Sequence, residues 1–286
     1  NDDSTYTDPS PFVVDANGNV GVGVVSPLNK FVVNSEGYST IELQYNGTPV
    51  VDIFSNVSSN IFIGLDSGSV ITSGTGNVAL GDNALSATTI GTSNTAIGYF
   101  ALDSNVAKQG STAIGYQAMM YADNTTTQGL SYNTAVGYQA LVGSPAPSSN
   151  TGMYNTVVGH QSMTVNTTGS YNSALGVNTL INNTIGQYNV AVGYGALFTN
   201  VAKNASIAIG YEAMRYADNT TTTGTSGNIA VGYQALKGST TASNNTGTNN
   251  IALGYQSLYG NTSGYDNVSI GSYAGNAITT GSNNSL

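Results

Sequence analysis

Few residues in this 286-residue chain could do chemistry, and they do not converge. His160 is the only histidine, cysteine is absent, and the five basic residues (Lys30, Lys108, Lys203, Arg215, Lys237) stand singly. A Ser-His-Asp set, a carboxylate pair for acid and base work, and a phosphate-cradling loop all need several such groups brought within reach of one atom. No such set can be assembled from this inventory. Gly-Val-Gly at 21–23 lacks the strand, turn and helix that surround a dinucleotide fingerprint. Asp123 and Asp218 recur in the identical segment YADNTTT at 121–127 and 216–222. One carboxylate per loop is too little for Ca²⁺, which takes about six to eight oxygens, so both are expected to be solvated loop residues. The sequence predicts no enzyme, no cofactor and no metal site.

The remaining candidates belong to recognition. Tyr99, Tyr116, Tyr138, Tyr194, Tyr211, Tyr233 and Tyr255 hold one position of a repeat, and His160 takes the same position in one unit. Stacked rings would offer a sugar-binding stripe, or would pack on one another with their hydroxyls in water. His160 reads as a replacement within that ladder. The loops 120–132, 142–154, 215–227 and 237–249 are rich in Asn, Thr, Ser, Gly and Pro. Their candidate receptor contacts are Asp123, Asn124, Thr125, Pro145, Pro147, Asp218, Asn219, Thr220, Asn244 and Asn245. Polar loops on a rigid scaffold are where recognition usually resides; tolerated insertion is the alternative.

What must position these residues is a repeat. A glycine after a small-apolar pair recurs at 64, 81, 98, 115, 137, 159, 176, 193, 210, 232, 254 and 271, giving twelve coils spaced by 17 or 22 residues. A 95-residue unit of five coils overlies them: residues 105–141 match 200–236 at 28 of 37 positions. Self-similarity at such periods marks a solenoid. The next glycine would fall at 288, beyond Leu286, so the chain is expected to be cut from a longer protein.

Within a coil, Asn stands four before the glycine, or Ser at Ser111 and Ser206, suiting the turn into a strand. Alternation puts the Ile, Leu or Val before the glycine on one face, and the Ala two before it on the other. Segments such as YQAL are too short for a helix, which usually needs about ten to twelve residues, so two short strands per coil are expected. Stacked at about 4.8 Å per coil, twelve coils make a rod of about 55–60 Å. The continuous alanine face then invites packing against another copy, and a homotrimer is the natural way to bury it.

Composition agrees with a fibre more than with an enzyme. Only 7% of residues are charged and the net charge is -9, against roughly 25% charged in ordinary domains. Scattered basic residues exclude a phosphate-tracking nucleic-acid surface, and no apolar run reaches the roughly 20 residues of a membrane helix. Residues 1–59 break the period and read as a small β module leading into a 60–286 shaft.

The strands NTAIG, SIAIG and NIALG resemble the β-roll heads of trimeric autotransporter adhesins. The block NTAVGYQAL, with Gly18, Asn19, Val20, Gly21, Gly23, Ser26, Pro27, Lys30 and Val32 ahead of it, resembles bacteriophage tail fibres, those of cyanophages in particular. Val22, Val24 and Phe31 depart from that element. The resemblance implies a homotrimeric, extracellular fibre of a virion that joins other tail components and meets a host-surface glycan or protein. It carries over no catalytic residue. The runner-up is a bacterial cell-surface adhesin or filament. An ice-binding face would need a regular threonine rung, and Thr95, Thr112 and Thr134 give way to Val190, Ile207 and Ile229.

Overall fold

The computed structural model describes residues 59–146, 149–241 and 244–286, together with five strands nearer the N-terminus. Among the described residues it is all-β, with no α-helix. Twelve three-residue strands, beginning with Ile61–Ile63 and Val78–Leu80 and ending with Ile251–Leu253 and Val268–Ile270, pair in parallel within one sheet. Equivalent repeat positions face each other throughout: Ala96 pairs Ala113, Ala113 pairs Ala135, and Ala135 pairs Val157. A chain that winds so that successive turns pair in parallel is a β-solenoid, each turn stabilised by its neighbours. The N-terminal side opens the same sheet. Ser39–Tyr45 and Thr48–Ser55 form an antiparallel hairpin, and Thr48–Ser55 pairs antiparallel with Ile61–Ile63. Phe12–Val14 pairs antiparallel with Val20–Val22, which runs parallel to Phe31–Val33.

The alternation within each strand is as expected, but its two faces serve opposite purposes to those expected. The alanines point inward and are fully buried, as at Ala79, Ala96, Ala113 and Ala135, while the branched aliphatics stand outside, Leu175 at 52% exposure and Ile270 at 61%. The alanine face is therefore a core face and is not offered to another copy. The reason is volume. Leu102, Met119, Leu141 and their equivalents, four residues after each glycine, fill the interior opposite the alanines and are fully buried. Where the strand carries Phe62 in place of alanine, that opposing position is Gly68, and a Cβ there would lie 2.6 Å from the Phe62 ring. One large side chain per level is all the coil holds.

The second strand expected in each coil forms, among the described residues, only as the parallel two-residue pairs Lys108–Gln109 with Gly129–Leu130 and Lys203–Asn204 with Gly224–Thr225, and never in the stretch after the glycine. After each glycine the backbone alternates in the sign of φ, positive at the glycine, at the second residue and at the fourth: Gly98 at 131°, Phe100 at 54°, Leu102 at 51°. This zigzag sends successive N–H groups to opposite neighbours. Gln117 N–H donates back to Tyr99 O (2.9 Å), and Met119 N–H donates forward to Ala140 O (2.9 Å). Each left-handed L-residue costs roughly 1–2 kcal/mol, offset by these bonds and, at the fourth residue, by complete burial.

A second internal ladder is built from asparagine. Asn155 Nδ2 donates to Asn133 Oδ1 (3.1 Å) and to Gly169 O (2.9 Å), while Asn155 Oδ1 accepts from Asn172 N–H (3.0 Å) and Asn172 Nδ2 (3.1 Å). The pattern repeats between buried asparagines from Asn60 to Asn94 and from Asn133 to Asn189. It satisfies the backbone where the chain enters each strand, as buried polar groups require.

Candidate binding surfaces

The outer face of the sheet lies between two aromatic stripes, of which the sequence reading found one. In the first, Tyr99, Tyr116, Tyr138 and His160 stack with ring centres 5.6, 5.1 and 5.1 Å apart and planes within 15°. Tyr194, Tyr211, Tyr233 and Tyr255 repeat the arrangement at 5.3, 5.0 and 5.1 Å. His160 is thus a rung of the ladder. Between the two runs stands Val177, which leaves one rung without a ring. The stacking turns ring edges, not faces, to solvent along each run.

The second stripe consists of Tyr132, Tyr154, Tyr171 and Tyr188, five residues before the glycines of four consecutive coils. Its centres are 5.7, 5.0 and 5.0 Å apart, and all four residues are exposed. The available signal was Tyr immediately before the coil-opening Asn in YNT, YNT, YNS and YNV. That position holds a left-handed residue in every coil, Tyr154 at φ 59° for instance. Between the stripes run the outward aliphatics. Thr156, Val158, Ser173, Ala174, Leu175 and Val192 line an open hollow of about 240 Å³ there.

The loop candidates divide. Pro145 and Asn244 are exposed and Thr220 is half-buried, whereas Asp123, Asn124, Thr125, Asp218, Asn219 and Asn245 are buried; Pro147 lies outside the described residues. The exposed tips are instead Thr126, Thr127 and Gln128, and Thr221, Thr222 and Thr223. Neighbouring loops clasp each other. Asn124 Nδ2 donates to Ser144 O and Ala146 O (both 3.2 Å), Asn150 Nδ2 to Tyr121 O (2.6 Å), and Asn245 Nδ2 to Asn219 Oδ1 (3.0 Å).

The expectation that Asp123 and Asp218 are solvated is overturned. Asp123 accepts hydrogen bonds from Ser111 Oγ (2.5 Å), Ser131 Oγ (2.6 Å) and Asn133 Nδ2 (3.3 Å). Asp218 accepts from Ser206 Oγ (2.5 Å), Ser226 Oγ (2.9 Å) and Asn228 Nδ2 (3.2 Å). Ser111 and Ser206 are the two exceptions in the asparagine ladder. Serine is too short to span to the next rung, and the aspartate folds in from its loop to fill the break. Burial raises both carboxyls above their ordinary 3.8, against the lowering effect of these donors. Beside Asp218 a polar cavity of about 10 Å³ has room for about one water. No group of three or more His, Cys, Asp or Glu residues with metal-binding geometry occurs among the described residues.

One charged cluster exists in the second 95-residue unit. Glu212 pairs with Arg215 (2.8 Å) and Lys237 (2.8 Å) and accepts from Gln234 Nε2 (2.8 Å). Partial burial alone would raise the Glu212 carboxyl; the Lys237 and Gln234 hydrogen bonds and the two positive charges outweigh it and hold the group below 4.5. Arg215 also lies over the Phe198 ring at 4.5 Å. At the matching places in the first unit stand Gln117, Met120 and Val142. Comparison of the chain with protein-family models, with curated proteins and with solved structures finds no match.

Proposed function

We propose that this chain is a rigid structural segment of an extracellular fibre, a bacteriophage tail fibre, assembled from three parallel copies and serving host-surface attachment. The observation that carries the reading is the stack of in-register parallel strands with a continuous aliphatic row outside, exposed or half-buried, and a complete core inside. Coils of 17 and 22 residues at about 4.8 Å each give a rod of about 55–60 Å. Duplication of five coils lengthens such a rod without redesigning it. The copies meet through the outward aliphatics. Taking the face as about 58 Å long and at most about 20 Å wide gives at most roughly 1,100 Å² per chain. A ring of three divides this between two neighbours, about 550 Å² to each, so only the whole face reaches the scale of the roughly 800 Å² per partner of a standard interface. The clasped loops, recurring about 24 Å along the rod, project as rigid bosses carrying Thr126, Thr127, Thr221 and Thr222 toward a host glycan or protein.

Light scattering of the purified segment, with melting curves at several concentrations, tests the assembly. A mass three times the 29.1 kDa chain and a melting temperature that rises with concentration are expected. A folded single chain refutes the trimer. Retention of the segment on intact host cells, lost when the threonines at the loop tips are replaced by alanine, tests attachment.

A further inference from the structure

The charged cluster of the second 95-residue unit replaces a whole patch of the first. Phe100, Asp103, Gln117, Met120, Val142 and Thr164 correspond, 95 residues on, to Gly195, Phe198, Glu212, Arg215, Lys237 and Tyr259. The backbone beneath is alike in both units, with Gln117 at φ 53° and Glu212 at 51°. Formal charge at these six places passes from -1, on Asp103, to +1, the charges of Arg215 and Lys237 less that of Glu212. Lys108 and Lys203 are a matched pair 95 residues apart, so Arg215 and Lys237 are basic residues that only the second unit carries.

Phe198, Arg215, Lys237 and Tyr259 each stand five residues after an anchor glycine, on four consecutive coils. The column therefore reads ring, cation, cation, ring over about 14 Å. The Arg215 guanidinium lies 4.5 Å from the Phe198 ring centre, and Lys237 Nζ lies 5.8 Å from that of Tyr216 and 5.7 Å from that of Tyr259. Gly195 makes room for the guanidinium: a Cβ there would lie 3.1 Å from Arg215 Nη1. Both cationic heads converge on Glu212, whose Oε1 accepts from Arg215 and whose Oε2 accepts from Lys237 and Gln234, all at 2.8 Å. A guanidinium has five N–H donors and an ammonium three, so both heads keep donors beyond those given to Glu212. Their side chains are 19% and 16% exposed. Solvent can reach them, yet the one excess positive charge is poorly hydrated and gains from an anion. Folding does not require the cluster, since the first unit forms the same coils with Gln117, Met120 and Val142 in its place.

We propose, resting on the host-surface reading above for its role, that Arg215 and Lys237 bind the carboxylate of an acidic sugar in a surface glycan. One excess positive charge matches the single negative charge of a carboxylate, whereas a phosphate monoester carries about -1.5 to -2. The planar fork of Arg215 fits a carboxylate with two parallel hydrogen bonds. Phe198 and Tyr259, both half-buried at the ends of the column, offer ring surface on which the apolar C–H face of a sugar packs. The rest of the chain is acidic, with a net charge of -9, and repels an anionic polymer. Contact is thereby confined to this patch, in the second unit alone.

Ligand-observed NMR titrations of the full chain test the site. The probes are a trisaccharide of galacturonic acid and a sialylated lactose, with their methyl esters and with sulfated and phosphorylated lactose as controls. Saturable binding of both carboxylated probes is expected, at least tenfold weaker for the esters and weakening as salt rises. The variant Glu212→Gln, Arg215→Met, Lys237→Val carries the first unit's own residues. It is expected to keep its circular dichroism spectrum and melting temperature and to lose at least tenfold in affinity. Placing the second unit's six residues at the matching places of the first unit in that variant is expected to restore binding. Absence of saturable binding, equal binding of the esters, or preference for sulfated or phosphorylated lactose overturns the proposal. Undiminished binding by the folded triple variant overturns it as well. Retention of the segment on host cells without binding of either probe overturns this inference and leaves attachment standing. Saturable binding of the probes without retention on cells overturns attachment and leaves the site standing.

Discussion

Gly137→Ala tests the backbone logic of the stack most directly. Gly137 sits at φ 135°, and a Cβ built there lies 2.4 Å from Gly159 O and 2.8 Å from Gly159 C. Both atoms are backbone of the next coil and cannot swing away. Relieving the contact moves the two coils apart by most of an ångström. That strains Gly159 N–H to Val136 O (2.8 Å), Thr134 N–H to Asn155 O (2.8 Å) and Tyr154 N–H to Ser131 O (2.8 Å). Holding alanine at this φ costs about 1–3 kcal/mol, and weakening two or three hydrogen bonds adds about 1 kcal/mol each. The sum, about 4 kcal/mol, is a large share of a typical stability of roughly 5–15 kcal/mol. Gly271→Ala is the internal control: its φ is 136°, but the nearest atom to its Cβ is Ala274 Cβ at 3.8 Å. It therefore carries only the conformational cost. Urea unfolding of both variants, with hydrogen exchange to locate the damage, should show Gly137→Ala worse by about 2–3 kcal/mol from the lost bonds alone, with protection lost first between the 134–136 and 156–158 strands. Equal destabilisation of the two variants would refute the claim that contact between glycine columns sets the coil spacing.

Three further outcomes are expected. Asn155→Ala removes four side-chain hydrogen bonds and strands the buried Asn172 N–H, so chemical denaturation should report a loss of about 2–4 kcal/mol; a loss below 1 kcal/mol would show the asparagine ladder to be incidental. Because burial raises Asp123 and Asp218 above 3.8, the folded chain binds more protons than the unfolded one above that pH, and their contribution to stability falls as pH rises through the folded-state values. Glu212, held below 4.5, acts in the opposite sense: its contribution is present above 4.5 and is lost as pH falls. The double variant Asp123→Asn, Asp218→Asn should therefore flatten the acid-side fall in stability with rising pH, and an unchanged slope would refute the assignment. Replacing the charged cluster by the first unit's residues (Glu212→Gln, Arg215→Met, Lys237→Val) should change stability by under about 1 kcal/mol, measured at low and at high salt; a loss of several kcal/mol would show the cluster to be required.

What was legible in the sequence follows from what repeats. The glycine period placed all twelve strands, and the in-register Ala96, Ala113 and Ala135 column follows from it. Which face pointed inward was not legible, because alternation separates two faces without saying which is buried, and alanine suits either a narrow core or a close contact between copies. The decisive clue was the size exchange between Phe62 and Gly68, which ties the strand position to the interior. The left-handed residues escaped notice because Gln, Leu and Met carry no preference for positive φ; only Asp66, Asn83, Asn178 and Gly195 at the same position hint at it. Asp123 looked like a loop residue in isolation. Its partner was Ser111, already visible as the ladder's exception, and only the folded geometry joins the two.

The duplicated unit is a natural comparison of which contacts the fold requires. The anchor glycines, the inward alanines, the opposing Leu or Met, and the Ser-Asp-Asn repair of the ladder occur in both units. These face the interior or the next coil, where a change at one level strains two others. Among the positions that differ, Gln117 and Glu212, Met120 and Arg215, Val142 and Lys237, and Tyr132 and Gly227 reach the surface at least in part, while a buried difference such as Val157 and Ala252 keeps a small apolar side chain. Stability alone does not account for them, since either version folds into the same coil. Glu212, Arg215 and Lys237 changed together and answer one another's charges. Tyr132, Tyr154, Tyr171 and Tyr188 are answered by no group across the same strand face, and Val177 is a vacancy answered by no ring of its own chain. Side chains at these edges can differ between the units without strain, because they pack on the rungs above and below and not on the core.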